Sequence, residues 1–165
     1  GYLNGVSWAA VVMGFMWVYE NWLWKWPICR LLIKMPNLTG TYLGEITFKH
    51  DNEEQAKACK LIIKQKASVI KVTCVFSRDD ESSTHSQSTH AFVTTDHVDD
   101  RCLHFYYHNR GSCKNGDTLN RHDGMNVLHI VEQEEETVLE GYYFTDRNPQ
   151  TKGCMKVAKI KKKGS

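Results

Sequence analysis

Hydrophobic positions fall along this chain in two patterns, and the change comes near residue 35. Before it they run without a period: Val6, Ala9, Ala10, Val11, Val12, Met13, Phe15, Met16 and Val18 form one apolar stretch, and Trp17, Tyr19, Trp22, Trp24 and Trp26 crowd its C-terminal end. A hydrocarbon core of ~30 Å takes about 20 mostly apolar residues to cross, and residues 6–24 meet that length. An apolar helix without a stripe, ending in an aromatic belt, is the pattern of a helix in lipid. Residues 1–26 are therefore expected to form a transmembrane helix. Glu20 and Asn21 are costly there unless they sit at the headgroup level or face a partner helix.

After residue 37 the period becomes two. Residues 39–49 set Tyr42, Gly44, Ile46 and Phe48 against Thr41, Glu45 and Thr47, and 101–109 set Leu103, Phe105 and Tyr107 against Cys102, His104, Tyr106 and His108. Alternation of this kind marks strands with one buried face. The same reading predicts 58–65 and 68–77 as two strands or one bent strand, and further strands over 85–95, 124–133, 137–146 and 152–161, with a break at 51–54, a polar loop at 78–83 and a Gly-containing loop at 110–123. About eight short antiparallel strands with no helical pattern between them fit an all-β fold, either a sandwich or a closed barrel, and the up-and-down β-barrel is favoured because closure leaves no open sheet edge. The domain plan is a membrane helix at 1–26, a juxtamembrane linker at 27–37, a barrel at 38–163 and a possible cloning scar at 164–165.

Charge orients this plan. Lys25, Arg30 and Lys34 follow the apolar run and no Lys or Arg precedes it, so the positive-inside rule places the barrel on the cytoplasmic side of a membrane. The formal net charge is only +2, partly collected in Lys156, Lys159 and Lys161 to Lys163; no DNA or RNA partner is expected. The six cysteines are widely spaced and, in a reducing compartment, read as free thiols. Cys102, His104, His108 and Cys113 form the one cluster with the look of a metal site. Cys113 lies past a turn signal at Gly111 and Ser112, so no metal and no cofactor are expected. The histidines are scattered, and neither a phosphate-cradling glycine loop nor a nucleophile elbow is present, which argues against an enzyme.

Several short motifs occur in a particular order: Pro36-x-Leu38-x-Gly40-x-Tyr42-x-Gly44, Ile63-x-Gln65, the Ser-rich run 82–86, Tyr107-x-Asn109, His122-x-Gly124, Gly141-x-Tyr143-Phe144-Thr145-x-Arg147 and Thr151-Lys152-Gly153. In this order the chain resembles the SMODS-associating two-transmembrane, β-strand-rich effectors of bacterial CBASS anti-phage systems. The resemblance implies a barrel that binds a cyclic dinucleotide made by a partner nucleotidyltransferase. It also implies homo-oligomerisation on binding and disruption of the inner membrane by the transmembrane helices, with growth arrest or cell death. That family carries two membrane helices and this chain shows one. The Gly start suggests that a first helix has been trimmed away.

Such a ligand presents two bases and two phosphodiesters, so its pocket needs ring faces, base-edge partners and phosphate donors. Tyr143, Thr145, Arg147, Thr151 and Lys152 are the densest supply, and the planar fork of Arg147 suits two phosphate oxygens. Arg78, Ser83 and Ser86 offer further donors, Tyr42 and Tyr107 stacking faces, and His122 a base or phosphate contact. Each has a plainer role open to it: a solvated loop for Arg78 and the serines, core packing for the tyrosines, an exposed charge for Arg147, a loop cap for His122 beside a Gly124 that needs positive φ. A membrane-tethered, lipocalin-like barrel holding an apolar ligand is the alternative function, and it predicts an interior without fixed cations.

Overall fold

Inward and outward residues alternate along a strand, and in the computed structural model the alternating segments form eight antiparallel strands. They are β1 Gly40–His50, β2 Glu53–Gln65, β3 Ile70–Ser77, β4 Ser83–Thr95, β5 Arg101–Asn109, β6 His122–Glu132, β7 Thr137–Thr145 and β8 Lys152–Lys159. Each pairs with the next and β8 returns to β1, closing an all-β barrel. The structure describes residues 7–29, 35–50, 53–77, 83–96, 100–109, 122–133, 136–148 and 150–160, with the backbone alone for His50, Ser77, Ser83 and Thr84.

The strand boundaries follow the alternation closely except in β2, which starts at Glu53 where a break was expected. Residues 53–58 are exposed on both faces, yet they stay paired with β1 as far as His50↔Glu53. Ladder hydrogen bonds hold this extension, so no buried face writes a pattern into its sequence.

The barrel interior has two ends. In the half nearer the start of β1, the inward positions are apolar: Tyr42, Leu61, Ile63, Leu103, Leu128, Leu139 and Val157 are all buried. Tyr42 faces Leu61 on one side and Lys159 on the other, and the Lys159 ammonium lies 5.8 Å from its ring centre. The half nearer the end of β1 is lined differently, with Ser86, Asn109, His122, Asn126 and Thr145 buried among the strands.

Residues 1–38 and 65–69 form a separate unit. Its helix α1 runs Trp8–Asn21, capped by the Ser7 hydroxyl, which accepts from Ala9 N–H. It ends because Trp22 leaves helical geometry (φ −133°) and a 3-10 turn, Leu23–Lys25, follows. The fourteen residues of α1 rise about 21 Å at 1.5 Å each, short of the ~30 Å of a hydrocarbon core. Among the described residues no helix is long and apolar enough to cross a membrane. The transmembrane helix expected over 1–26 is not found among the described residues, and the expected inner-membrane placement with a cytoplasmic barrel is overturned on that ground. By its hydropathy the apolar run reads as one helix through Trp24, whereas the chain breaks at Trp22. Glu20 and Asn21 also have local partners: the Glu20 carboxylate accepts from Ser68 N–H and Oγ at 3.2 and 2.8 Å, and Asn21 Nδ2 donates to the Trp17 carbonyl at 2.8 Å. In the same unit the Gln65 amide accepts from Leu38 N–H at 2.8 Å and donates to the Pro36 carbonyl at 3.1 Å.

Candidate ligand-binding site

The polar end of the barrel is assembled by register. Ser86 on β4 lies opposite Asn109 on β5, which lies opposite His122 on β6. One inward step deeper, Tyr107 faces Gly124, and Gly124 faces Thr145 on β7. Deeper again, Asn126 faces Tyr143, and Tyr143 faces Gly153 on β8. Two of these glycines create room for rings. A Cβ on Gly124 would collide with the Tyr107 phenol, and one on Gly153 would collide first with the Thr47 carbonyl of β1 and also come within 2.9 Å of the Tyr143 ring. Gly124 is thus explained by close approach; among the described glycines the positive φ belongs to Gly40.

Arg147 lies in the β7–β8 turn, and that turn is fixed from two sides. Thr145 N–H donates to the Thr151 carbonyl at 2.9 Å, while the Thr145 hydroxyl exchanges weaker contacts of 3.3 Å with Thr151 N–H and carbonyl. The Asp146 carboxylate accepts from Asp123 N–H at 2.8 Å, and Asp146 N–H donates to the Asp123 carbonyl at 3.0 Å. Held in this way, an Arg147 amino group donates to His122 Nδ1 at 3.0 Å. A guanidinium can only donate, so Nδ1 of His122 is the acceptor. The His122 ring in turn meets Tyr107 edge-on, 6.2 Å between centres.

Electrostatics agree with this placement. Burial pushes the Tyr107 phenol well above its usual range and that of Tyr143 up to about 12, while the Arg147 charge pulls both back. Both phenols are therefore neutral at physiological pH. Most buried polar atoms in proteins have a partner, and at this end three do not: Ser86 Oγ, Asn126 Oδ1 and Arg147 Nε. Among the described residues one further such atom, Trp24 Nε1, belongs to the N-terminal unit.

The predicted residues thus separate. Ser86, Tyr107, His122, Tyr143, Thr145, Arg147 and Thr151 come together at the polar end, with Thr145 and Thr151 closing the turn that carries Arg147. Tyr42 is buried at the apolar end. Lys152 is exposed beside inward Gly153 and opposite Phe144. Arg78 and the Ser83 side chain lie outside the described residues. Sequence reasoning missed Asn109 and Asn126. Both follow from alternation: Asn109 continues the inward row of Leu103, Phe105 and Tyr107, and Asn126 interrupts the inward row ending in Leu128 and Ile130. A polar residue on a core face is the readable signal.

The outer wall carries other chemistry. His104 contacts the Thr94 hydroxyl at 2.8 Å and stacks on Phe92. His108 and the Tyr106 hydroxyl both bind the Asp123 carboxylate, and these bonds hold its pKa below the usual carboxylate value, with the Tyr106 bond contributing most. The expected grouping of Cys102, His104 and His108 is therefore dispersed, and Cys113 lies outside the described residues. Cys29, Cys59, Cys74, Cys102 and Cys154 are free thiols. A shallow open recess on the outer wall is lined by Leu43, Glu45, Ala56, Ala58, Val138 and Ala158 among others. It has none of the unpartnered buried polar atoms of the interior end.

The family model for the Cap15 cyclic dinucleotide receptor domain matches residues 33–159, a span that holds all eight strands and every residue of the polar end. No curated protein matches the chain.

Proposed function

This chain belongs to the Cap15 cyclic dinucleotide receptor domain family, a family of CBASS effector domains, and from that membership we propose that the polar end of its barrel is where a cyclic dinucleotide binds. The observation that supports the reading is the convergence of Ser86 Oγ, Asn126 Oδ1 and Arg147 Nε, buried and unpartnered, at one end of a closed barrel. An eight-stranded barrel is wide enough to be filled by side chains or to hold one small ligand. In this reading Arg147, with one amino group fixed on His122, turns its remaining donors to a phosphodiester. Tyr107 and Tyr143 present ring faces to the bases, and Asn126 and Ser86 meet a base edge. A receptor role needs no catalytic group, and the matched family is a ligand-sensing one.

The ligand is the product of a partner nucleotidyltransferase, and its binding biases association between barrels. The lipocalin-like alternative is disfavoured by the guanidinium at the polar end.

Calorimetric titration with a panel of cyclic di- and trinucleotides, with linear nucleotides and fatty acids as controls, tests the proposal; light scattering on the same samples tests association. One cyclic dinucleotide should bind, stabilising the fold by about 2.7 kcal/mol at a hundredfold excess over its Kd, and Arg147→Ala should abolish the effect. Binding of fatty acids alone would return the barrel to the lipocalin-like class.

A further inference from the structure

On the outer wall of the barrel, at the end opposite the polar interior, three donors of different chemistry converge. Asp100 closes the β4–β5 turn, where its carbonyl accepts from Asp96 N–H at 2.9 Å. Cys102 on β5 and His129 on β6 are direct cross-strand partners. Cys102 Sγ lies 3.4 Å from His129 Nδ1, and the two Asp100 carboxylate oxygens lie 2.9 and 3.2 Å from the same nitrogen. One ligand atom from each of the three residues falls within 4.8 Å of the others.

We propose that Asp100, Cys102 and His129 form a binding site for a divalent cation of the zinc type. Zinc bonds of about 2.3 Å to sulfur and about 2.0–2.1 Å to nitrogen and oxygen, at a tetrahedral angle, separate S from N by roughly 3.5 Å and N from O by roughly 3.3 Å. The observed 3.4 Å and 2.9–3.2 Å are within a few tenths of those spacings. A cation entering between the three donors needs only a small outward shift.

Two plainer arrangements explain less. An ion pair between His129 and Asp100 leaves the sulfur without a role, because a thiol is a weak hydrogen-bonding group. A nucleophilic triad requires thiol and carboxylate on opposite ring nitrogens, whereas here both approach Nδ1. Thiolate, imidazole and carboxylate together suit zinc better than magnesium or calcium, which prefer oxygen ligands. Three protein ligands leave a fourth position for water. Binding converts the thiol to thiolate and releases its proton to solvent, together with any proton on Nδ1.

The surroundings permit this. Glu140, the cross-strand neighbour of His129 on β7, is engaged by Lys156 at 2.9 Å, and Glu132 is engaged by Arg101 at 2.9 Å. The side chains of His129 and Asp100 are nearly half exposed, at 46% and 49%, so a cation reaches them from solvent. A bound ion would tie the β4–β5 turn to β5 and β6 and stiffen the barrel at the end away from the ligand.

The experiment titrates the reduced, metal-free protein with Zn2+ against a chromophoric chelator, and with Co2+ as a spectroscopic stand-in. Stoichiometric Zn2+ binding is expected, with a thiolate-to-cobalt charge-transfer band and tetrahedral ligand-field bands. Cys102→Ser should remove the charge-transfer band, and both it and His129→Gln should weaken Zn2+ by more than about 100-fold, beyond the range for loss of an outer-shell partner. Asp100→Asn, in an exposed turn, supplies a variant with little consequence for folding and should weaken Zn2+ as well. His104→Gln, on the same wall, should leave binding unchanged. Zn2+ affinity that survives all three ligand variants, or a cobalt spectrum without a thiolate band, would overturn the proposal. No nucleotide enters the assay, so its result stands apart from the reading of the polar end.

Discussion

The two ends of this barrel share the same strands and differ only in what those strands turn inward. At the apolar end Leu61, Ile63, Leu103, Leu128, Leu139 and Val157 fill the interior. At the other end the same rows continue into Asn109, Asn126, His122 and Thr145, and three polar atoms there are buried without partners. Burying apolar area stabilises a fold, while a buried polar group without a partner costs about 1–3 kcal/mol. One end therefore carries the stability and the other spends part of it on recognition, a division common at binding sites.

The comparison can be broken most forcefully at the apolar end. Leu128 is fully buried, so Leu128→Ala should lower unfolding free energy by about 2–5 kcal/mol in urea denaturation while ligand affinity of the folded protein changes little.

Alkaline pH comes next. The Tyr143 phenol is raised from 10.0 to about 12, and Tyr42 and Tyr107 are raised further, in each case mainly by burial. Between the unfolded and folded values the unfolded chain has lost these protons and the folded one retains them, so stability falls as pH rises. The melting temperature should drop progressively above pH 10, with no such loss from these groups below it. Tyr143→Phe should blunt the part of the fall between pH 10 and 12.

At the polar end, Gly124→Ala puts a methyl group into the Tyr107 phenol. Displacing that ring should cost about 1–3 kcal/mol, as overpacking does, and should weaken cyclic dinucleotide binding in the same titration. Substituting Asn126 sharpens the contrast most finely. Asn126→Leu removes a buried acceptor without a partner, so thermal unfolding of the free protein should show stability unchanged or raised by up to about 1 kcal/mol. Binding should nevertheless be lost. A variant that was both less stable and still competent to bind would contradict the division between the ends.

How far the sequence discloses this arrangement varies by region. Strands β5 to β8 are legible because each has one buried face, and alternation reports that face directly. The outer half of β2 is not, since residues 53–58 bury neither face. Arg147, His122, Tyr107 and Tyr143 are legible as chemistry, but their meeting depends on cross-strand register and on the Thr145–Thr151 and Asp123–Asp146 contacts, which no spacing within one strand encodes. Lys152 shows the limit of proximity in sequence: it adjoins Gly153 and points the other way. In the N-terminal run, hydropathy sums over residues 6–24 and does not see the backbone change at Trp22. Asp100, Cys102 and His129 were hidden by separation in sequence, since β5 and β6 bring His129 back beside Cys102.

The most direct test of the central claim is a crystal structure of the protein with the cyclic dinucleotide that binds in titration. The account predicts ligand density inside the polar end, with a phosphodiester in hydrogen-bond reach of Arg147 and a base edge at Asn126. Density on the outer wall, in the recess beside Leu43 and Val138, with Arg147 and Asn126 untouched, would contradict it.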